Sequence, residues 1–380
     1  MRKPIYLDHA ATTPVSNEVL SAMLPFLKDK FYNPSATYLL ARDVKKDLEE
    51  ARSKVAYLLG VNSSTVNFVA GGSEANNLAI HGIMRQFPDS NAITSNLEHD
   101  SIAQPLANYN FKLADVRQDG IINLDSVLGL IDDKTVLITL MIANNEVGTV
   151  QPIKELSFLI EEVRKKRRIN NNQLPIYILA DGCQAGNFID LHINNLKVDL
   201  LSLNGSKIYG PKQSGVLYVK PGVKLKPLIE GGGQEHNLRS GTENVAFAVA
   251  FSKALEQAQQ FRKDEVNRLR TIQSHFIGKL QEALPQIMIN GSLKHRLPNN
   301  VHITIPGVDN ERMLFLLDDA GIMASAGSAC SASSNKPSKV LSAMGIDDQL
   351  IQSSIRLTMG RETTILDMDY VVETIQKILK

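Results

Sequence analysis

A lysine, an aspartate, a histidine and a cysteine fall in this chain at places where they can serve one reaction. Lys207 sits in Leu203-Asn-Gly-Ser-Lys-Ile-Tyr-Gly-Pro-Lys-Gln-Ser-Gly215, a glycine-punctuated turn between the apolar runs Val198 to Leu203 and Val216 to Val219. A lysine ending a buried strand either snorkels its charge to water or gives it up, and the neutral amine is able to form a Schiff base. A solvated surface lysine is the plain alternative, and the segment alone does not reject it. Asp181 directly follows the apolar run Ile176 to Ala180, so in a parallel sheet its carboxylate and Lys207 can point into one crevice. His99, in Leu97-Glu-His-Asp-Ser101, also follows a strand end, where an imidazole can stack on a ring and shuttle protons near neutral pH. A helix-entry histidine bonded to a neighbour is equally compatible with that stretch. Cys330 lies in Ala324-Ser-Ala-Gly-Ser-Ala-Cys-Ser-Ala-Ser-Ser-Asn335, a run with almost no bulky side chain to anchor it, which predicts an exposed, mobile tether for a thiol. An inert loop cysteine is the alternative there, while Cys183 reads as a small buried residue.

Other groups complete a cofactor's needs. Gly71-Gly72-Ser73-Glu74 stands between a strand and a helix, where free backbone N–H groups and the positive end of the helix dipole make a phosphate site. Glycine turns before helices are common, so this is a weak signal alone. Asn144-Asn145-Glu146 follows another strand end and supplies amides. Arg356, inside the run Ser354 to Met359, suits two-pronged capture of a carboxylate, or an internal salt bridge. An aspartate for a protonated ring nitrogen, a lysine for an aldehyde and a turn for a phosphate make up the division of labour that pyridoxal phosphate requires.

The elements that must hold these groups are legible as alternation. Helical patterns are expected over Ser16 to Lys28, Thr37 to Leu59 (with Leu40, Val44, Leu48, Ala51, Val55 and Leu58 on one stripe and Gly60 as terminator), Ser73 to Arg85 and Val245 to Leu284. Between them, strands are expected at Val66 to Val69, Ala92 to Thr94, Val136 to Ile142, Ile176 to Leu179, Leu200 to Leu203 and Val216 to Val219. Strands buried on both faces and separated by helix-length segments imply an α/β fold with a mainly parallel sheet flanked by helices, its site beyond the carboxyl ends of the strands. Residues 15–257 are expected to form this large unit, and residues 1–14 with 258–380 a smaller α/β one.

With 380 residues, 21% charged and 43% hydrophobic, the chain has globular values, and its formal charge of +1 predicts no general grip on nucleic acid. The basic run Arg164-Lys-Lys-Arg-Arg168 reads as a solvated helix C-terminus. Two cysteines make no disulfide framework and fit a reducing cytoplasm. Neither a signal peptide nor a membrane span is expected, and no metal site.

Taken together, the segments Tyr6-Leu-Asp-His-Ala-Ala-Thr-Thr-Pro14, Asn33-Pro-Ser35, Ser73-Glu-Ala-Asn-Asn-Leu-Ala-Ile80, Glu98-His99, Asn144-Asn-Glu146, Ser206-Lys-Ile-Tyr-Gly-Pro-Lys212, Gly231-Gly-Gly233 with Arg239-Ser-Gly-Thr242, Ser328-Ala-Cys330, and Ser353-Ser-Ile-Arg356 with Gly360-Arg361 closely resemble the NifS/IscS-like cysteine desulfurases of the class V aminotransferase group. The resemblance implies the aspartate-aminotransferase-like fold, pyridoxal 5'-phosphate and a homodimer. It implies Lys207 as the lysine that carries the cofactor, Asp181 at the pyridine nitrogen, His99 as ring-stacking acid and base, and Gln184 and Asn145 near the phenolic oxygen. Gly72, Ser73, Asn204 and Ser206 would bind the cofactor around its phosphate, with Thr242 reaching across from a second subunit. Arg356 with Asn33 would take the substrate carboxylate, and Cys330 would be the nucleophile that receives sulfur from L-cysteine and leaves L-alanine.

The pattern also departs from the family. Ser206 stands where histidine is common, Ala36-Thr-Tyr-Leu39 replaces the usual serine and histidine, and His236 replaces an arginine. These departures keep two other readings open: a selenocysteine lyase or aminotransferase in which Cys330 is incidental, and a catalytically weakened sulfur-transfer scaffold. Because the chain ends soon after Gly360-Arg361 without a long docking tail, the expected sulfur acceptor is a tRNA-thiolation enzyme rather than an iron–sulfur scaffold.

Overall fold

The computed structural model describes residues 3–327 and 337–380. Its strands are β1 (Ile5–Tyr6), β2 (Val66–Val69), β3 (Asn91–Thr94), β4 (Asn110–Leu113), β5 (Thr135–Met141), β6 (Tyr177–Asp181), β7 (Leu200–Asn204), β8 (Gly215–Val219), β9 (Met288–Ile289), β10 (Asn300–Thr304), β11 (Ile322–Met323) and β12 (Ser354–Thr358). Among the described residues a seven-stranded sheet runs in the order β2-β8-β7-β6-β5-β3-β4. Only β8 opposes its neighbours; β7, β6, β5, β3 and β4 pair in parallel. Because β2 also opposes β8, it runs with the parallel set. The carboxyl ends of β2, β3, β5, β6 and β7 therefore line one edge, and the amino end of β8 joins them there, Gly215 facing Asn204.

The helices follow from their caps. In α1 (Asn17–Lys28) the Ser16 side chain accepts from Val19 N–H, and α2 (Leu39–Leu59) stops where Gly60 turns left-handed at φ 67°. The apolar stripe of α2 runs as expected through Val44, Leu48, Ala51 and Val55, all buried, but its ends differ: Ala41, Ala56 and Leu59 are buried, whereas Leu40 is 48% exposed. The spacing that selected Leu40 is helical, but α2 begins only at Leu39, so that residue lies in its first turn, exposed beside Tyr38 and Leu39. The stripe also hides a cation. Arg52 makes a two-pronged pair with Glu235, at 2.6 and 2.9 Å, and donates to the Val66 carbonyl at 2.9 Å.

Two apolar cores cover the two faces of the large sheet. A third surrounds the small antiparallel sheet β12-β10-β9 and the parallel pair β1-β11, and it includes Ile5 and Leu7 beside Ile303, Ile355 and Val371. The 39-residue helix Val245–Ala283 is shared: Ala250, Phe251 and Ala258 lie in a core of the large sheet, and Leu269, Ile272, Phe276 and Leu280 in that of the small one. At roughly 1.5–3 kcal/mol for each large apolar side chain buried, both ends of this helix are firmly held. The run Arg164–Arg168 closes the helix Ile153–Ile169, with Lys166, Arg167 and Arg168 in its last turn, but it is not the solvated face expected: Arg167 is buried and donates to the carbonyls of Asp132, Leu174 and Pro175, and Arg164 donates to the Ile176 carbonyl and pairs with Asp199. No helix among the described residues is long and apolar enough to cross a membrane.

Candidate active site

Asp181 is the last residue of β6 and Lys207 lies in a short turn directly after β7, so the parallel pairing of those strands brings both to the same edge. The Asp181 carboxylate is buried. It accepts from Asn76 Nδ2 at 2.8 Å and from Cys183 N–H at 2.9 Å, and no ion pair engages it among the described residues. Lys207 Nζ donates to the Ala10 carbonyl at 2.9 Å and to that of Ala11. Gln184 Nε2 donates to the same Ala10 carbonyl at 3.0 Å, so the amino-terminal segment 10–11 roofs the lysine and the glutamine together.

The turn after β2 leads into α3 (Gly72–Met84), whose N-cap, Gly71, offers no side chain. The first N–H groups of this helix are thus left for an outside acceptor. Glycine at 72 is required: a Cβ there would lie 2.4 Å from Cys183 Sγ, and Asn204 is also adjacent. Ser73 is exposed, and Ser206, buried, donates to the Asn204 side-chain Oδ1 from both its N–H and its hydroxyl, each at 3.1 Å. Gly72, Asn204 and Ser206 therefore gather at one corner.

His99 caps α4 (Asp100–Leu106). Its Nδ1 accepts from Ser101 N–H at 3.0 Å, so in the neutral ring the proton resides on Nε2. Ser101 Oγ is 2.9 Å from the same Nδ1 and accepts from Asn76 Nδ2 at 3.0 Å. Asn76 thereby joins the histidine turn to Asp181. Glu98, next to His99, is buried; one carboxyl oxygen accepts from Met141 N–H at 2.8 Å, and the other has no partner. Burial, aided by the Asp181 charge, raises its pKa to about 8. The half-buried Cys183 thiol is likewise held well above its usual value, by burial and then by Asp181.

Arg356, only 1% exposed, pairs with Asp8 at 2.7 Å and donates to the Asn145 carbonyl at 3.0 Å; its Nε is buried without a partner. The salt bridge foreseen as an alternative is therefore present, with donor capacity remaining. Glu146, one residue on from Asn145, accepts from Ser338 Oγ, and a Cβ on Gly327 would lie 3.4 Å from the same carboxylate oxygen. Burial raises the Glu146 pKa, against the Ser338 hydrogen bond and the Arg356 charge. Cys330 lies outside the described residues. Asn33 is exposed, its amide oxygen accepting from Ser35 N–H at 2.9 Å, and Thr242 is exposed as well; neither is joined to the cluster by a hydrogen bond.

The cluster fits pyridoxal phosphate. A buried carboxylate with no cation paired to it among the described residues suits a protonated ring nitrogen, an uncapped helix start suits a phosphate, and Lys207, after β7, stands between them in the order of the sheet. Sequence reasoning missed Asn76, Asp8, Glu98 and the Ala10 and Ala11 carbonyls. Asn76 had a signal, since it is a polar residue on the otherwise apolar buried face of α3. The carbonyls had none, because a backbone acceptor carries no residue identity.

The Aminotransferase class-V pattern matches residues 5–371. A cysteine desulfurase IscS of Dictyoglomus turgidum is 39% identical over 387 aligned residues, covering 100% of this chain and 95% of that protein. One of Methanosarcina thermophila is 38% identical over 385, covering 100% and 92%. Among solved structures, a NifS-like protein superposes with a TM-score of 0.89 at 29% identity over 99% of both chains. SspA in complex with cysteine does so with a TM-score of 0.78 at 30% identity, over 93% of this chain and 98% of that one. The fold is the expected one of pyridoxal-phosphate enzymes, and the chain belongs to the class-V aminotransferase family, among its NifS/IscS-like cysteine desulfurases.

Proposed function

We propose that the chain converts L-cysteine to L-alanine and carries the released sulfur as a persulfide on Cys330. The observation that carries this reading is the convergence of Asp181, Lys207 and the uncapped start of α3 on one sheet edge, beside His99 and Arg356. Asp181 would hold the pyridine nitrogen; Gly72, Ser73, Asn204 and Ser206 the phosphate end; Gln184 and Asn145 the phenolic side; and Lys207 the aldehyde carbon. Bound pyridoxal phosphate supplies an electron sink for the charge left when the substrate Cα loses its proton. Arg356, with Asn33, orients the substrate carboxylate, and its unpartnered Nε supports that role. Lys207 and His99 Nε2 move protons at Cα and on the ring side. The Cys330 thiolate attacks the substrate sulfur: an S–S bond forms, the C–S bond breaks, and its electron pair stays with the carbon that becomes the methyl group of alanine. Ser338 donates to Glu146 and Gly327 lies near the same carboxylate, so described residues on both sides of the segment that carries Cys330 stand close to Asn145 and Arg356, which supports this role for Cys330.

The acceptor in this reading is a protein, either a tRNA-thiolation enzyme or an iron–sulfur scaffold, and a sulfur-transfer assay offering both distinguishes them. The reading also takes residues 15–257 as the cofactor unit and 1–14 with 258–380 as the smaller one, supported by the separate apolar cores. It takes the protein as a homodimer in which Thr242 serves the partner's phosphate site, supported by exposed apolar side chains at Phe31, Tyr38, Leu39 and Leu40. Incubation with L-cysteine followed by mass spectrometry tests the reaction; absence of both alanine and added sulfur on Cys330 refutes it.

A further inference from the structure

Gly360-Arg361 was singled out in the sequence, but none of the roles above uses it. It follows β12, the strand that bears Arg356, after Met359. The Arg361 guanidinium lies 3.9 Å from the centroid of the Tyr209 ring, and Arg361 N–H donates to the Tyr209 hydroxyl at 2.9 Å. Tyr209 is two residues beyond Lys207, buried, and left-handed at φ 63°, a conformation that a bulky side chain adopts only when its surroundings impose it. Its N–H donates to Thr13 Oγ1 at 2.8 Å, the Thr13 hydroxyl donates to the Ser206 carbonyl at 3.0 Å, and Ser16 N–H donates to the Tyr209 carbonyl at 3.0 Å.

The other side of the contact is equally fixed. Arg268, from the long helix, donates to the Gly360 and Thr363 carbonyls at 2.9 and 2.7 Å. His9 fills the space over Gly360, where a Cβ would lie 2.0 Å from its Nε2, and its Nδ1 is 3.0 Å from the Thr358 carbonyl. Burial pushes the Tyr209 pKa up to about 12, so its hydroxyl is neutral wherever the enzyme works.

We infer that Tyr209 and Arg361 are positioning residues, a clasp across the two sheets that fixes the Lys207 turn relative to the Arg356 strand. The substrate is gripped by its carboxylate on one sheet and reacts at the lysine on the other. A small slip between the two spoils the geometry without removing any reacting group. The kinetic part of this inference rests on the function proposed above; the structural part does not.

The test uses the full chain with Arg361→Ala, Arg361→Lys and Tyr209→Phe. In the cofactor-free protein, hydrogen exchange of amides 207–210 is expected to rise several-fold to about tenfold in Arg361→Ala, the worth of one cation–π contact, with β6 and β7 unchanged. Tyr209→Phe, which deprives the Arg361 N–H of its acceptor, raises the same amides, and Arg361→Lys restores most of the protection. In the cofactor-loaded protein, kcat/KM for cysteine falls about tenfold in Arg361→Ala, while cofactor affinity is unaltered. Unchanged exchange at 207–210, or a rise spread evenly over the large sheet, overturns the clasp. If the wild type makes no alanine, the proposed function fails and the exchange data still decide the clasp.

Discussion

Glu98 keeps its proton at pH values where most carboxyl groups have lost theirs. Burial raises its pKa from 4.5 to about 8, with Asp181 adding to the effect and the Met141 N–H opposing it. The unfolded chain releases this proton near 4.5, the folded chain only near 8. Across that interval the folded state holds a proton that the unfolded state lacks, so stability falls as pH rises, and the loss is complete above about 8. Glu98→Gln, which is neutral at every pH, should unfold at a higher temperature than the wild type at pH 8 and above, with the difference shrinking toward acid pH. Thermal unfolding followed by circular dichroism across this range checks it; parallel pH profiles for the two proteins contradict it. The resident proton also explains how a second carboxyl is tolerated near Asp181, the residue proposed to hold the ring nitrogen. Asn76 then serves as the neutral link between Asp181 and the His99 turn.

The turn between β2 and α3 shows how an element serves the site by what it lacks. Gly71 leaves the helix start uncapped, and Gly72 lets it pack against Cys183. Gly72→Ala would drive a Cβ to within 2.4 Å of the Cys183 sulfur, so α3 must shift away from β6 and β7. Overpacking of this kind costs about 1–3 kcal/mol, and cofactor affinity should fall with it. Adding Cys183→Ala to Gly72→Ala should restore much of both, measured by denaturant unfolding and fluorescence titration of pyridoxal phosphate; no recovery in the double variant contradicts the packing account. Much of this was legible beforehand. Apolar runs separated by helix-length segments marked the parallel strands, and once those strands are parallel, Asp181, His99 and Asn145 must share an edge. What stayed hidden was non-local. The two-pronged Arg52–Glu235 pair spans 183 positions, and no periodicity within α2 reveals that a stripe position holds a cation. The left-handed Tyr209 was equally silent, because its backbone is dictated by Thr13, Ser16 and Arg361 rather than by its own type. The same distance effect left the Ala10 and Ala11 carbonyls out of the site until the fold brought them over Lys207.

At the scale of the molecule, the long helix Val245–Ala283 ties the core of the large sheet to that of the small one, and β1 returns the amino terminus to the small sheet's core. Arg356, proposed for the substrate carboxylate, and Asp181 with Lys207, proposed for the cofactor, belong to different sheets, so their alignment is a property of the whole chain. In the proposed homodimer a second copy would share in this. Leu39 and Phe31 are 62% and 67% exposed, more than an unpartnered surface favours. Leu39→Glu with Phe31→Glu should therefore convert a dimer to monomer in light scattering, with weakened cofactor retention from the loss of Thr242; a wild type that is already monomeric contradicts it. The central claim, that this assembly extracts sulfur from cysteine and parks it on Cys330, is tested most directly by mass spectrometry of the loaded protein after L-cysteine. One added sulfur on Cys330 with release of alanine, and loss of turnover in Cys330→Ala, is the predicted result; turnover that survives Cys330→Ala, with no sulfur on the protein, contradicts it.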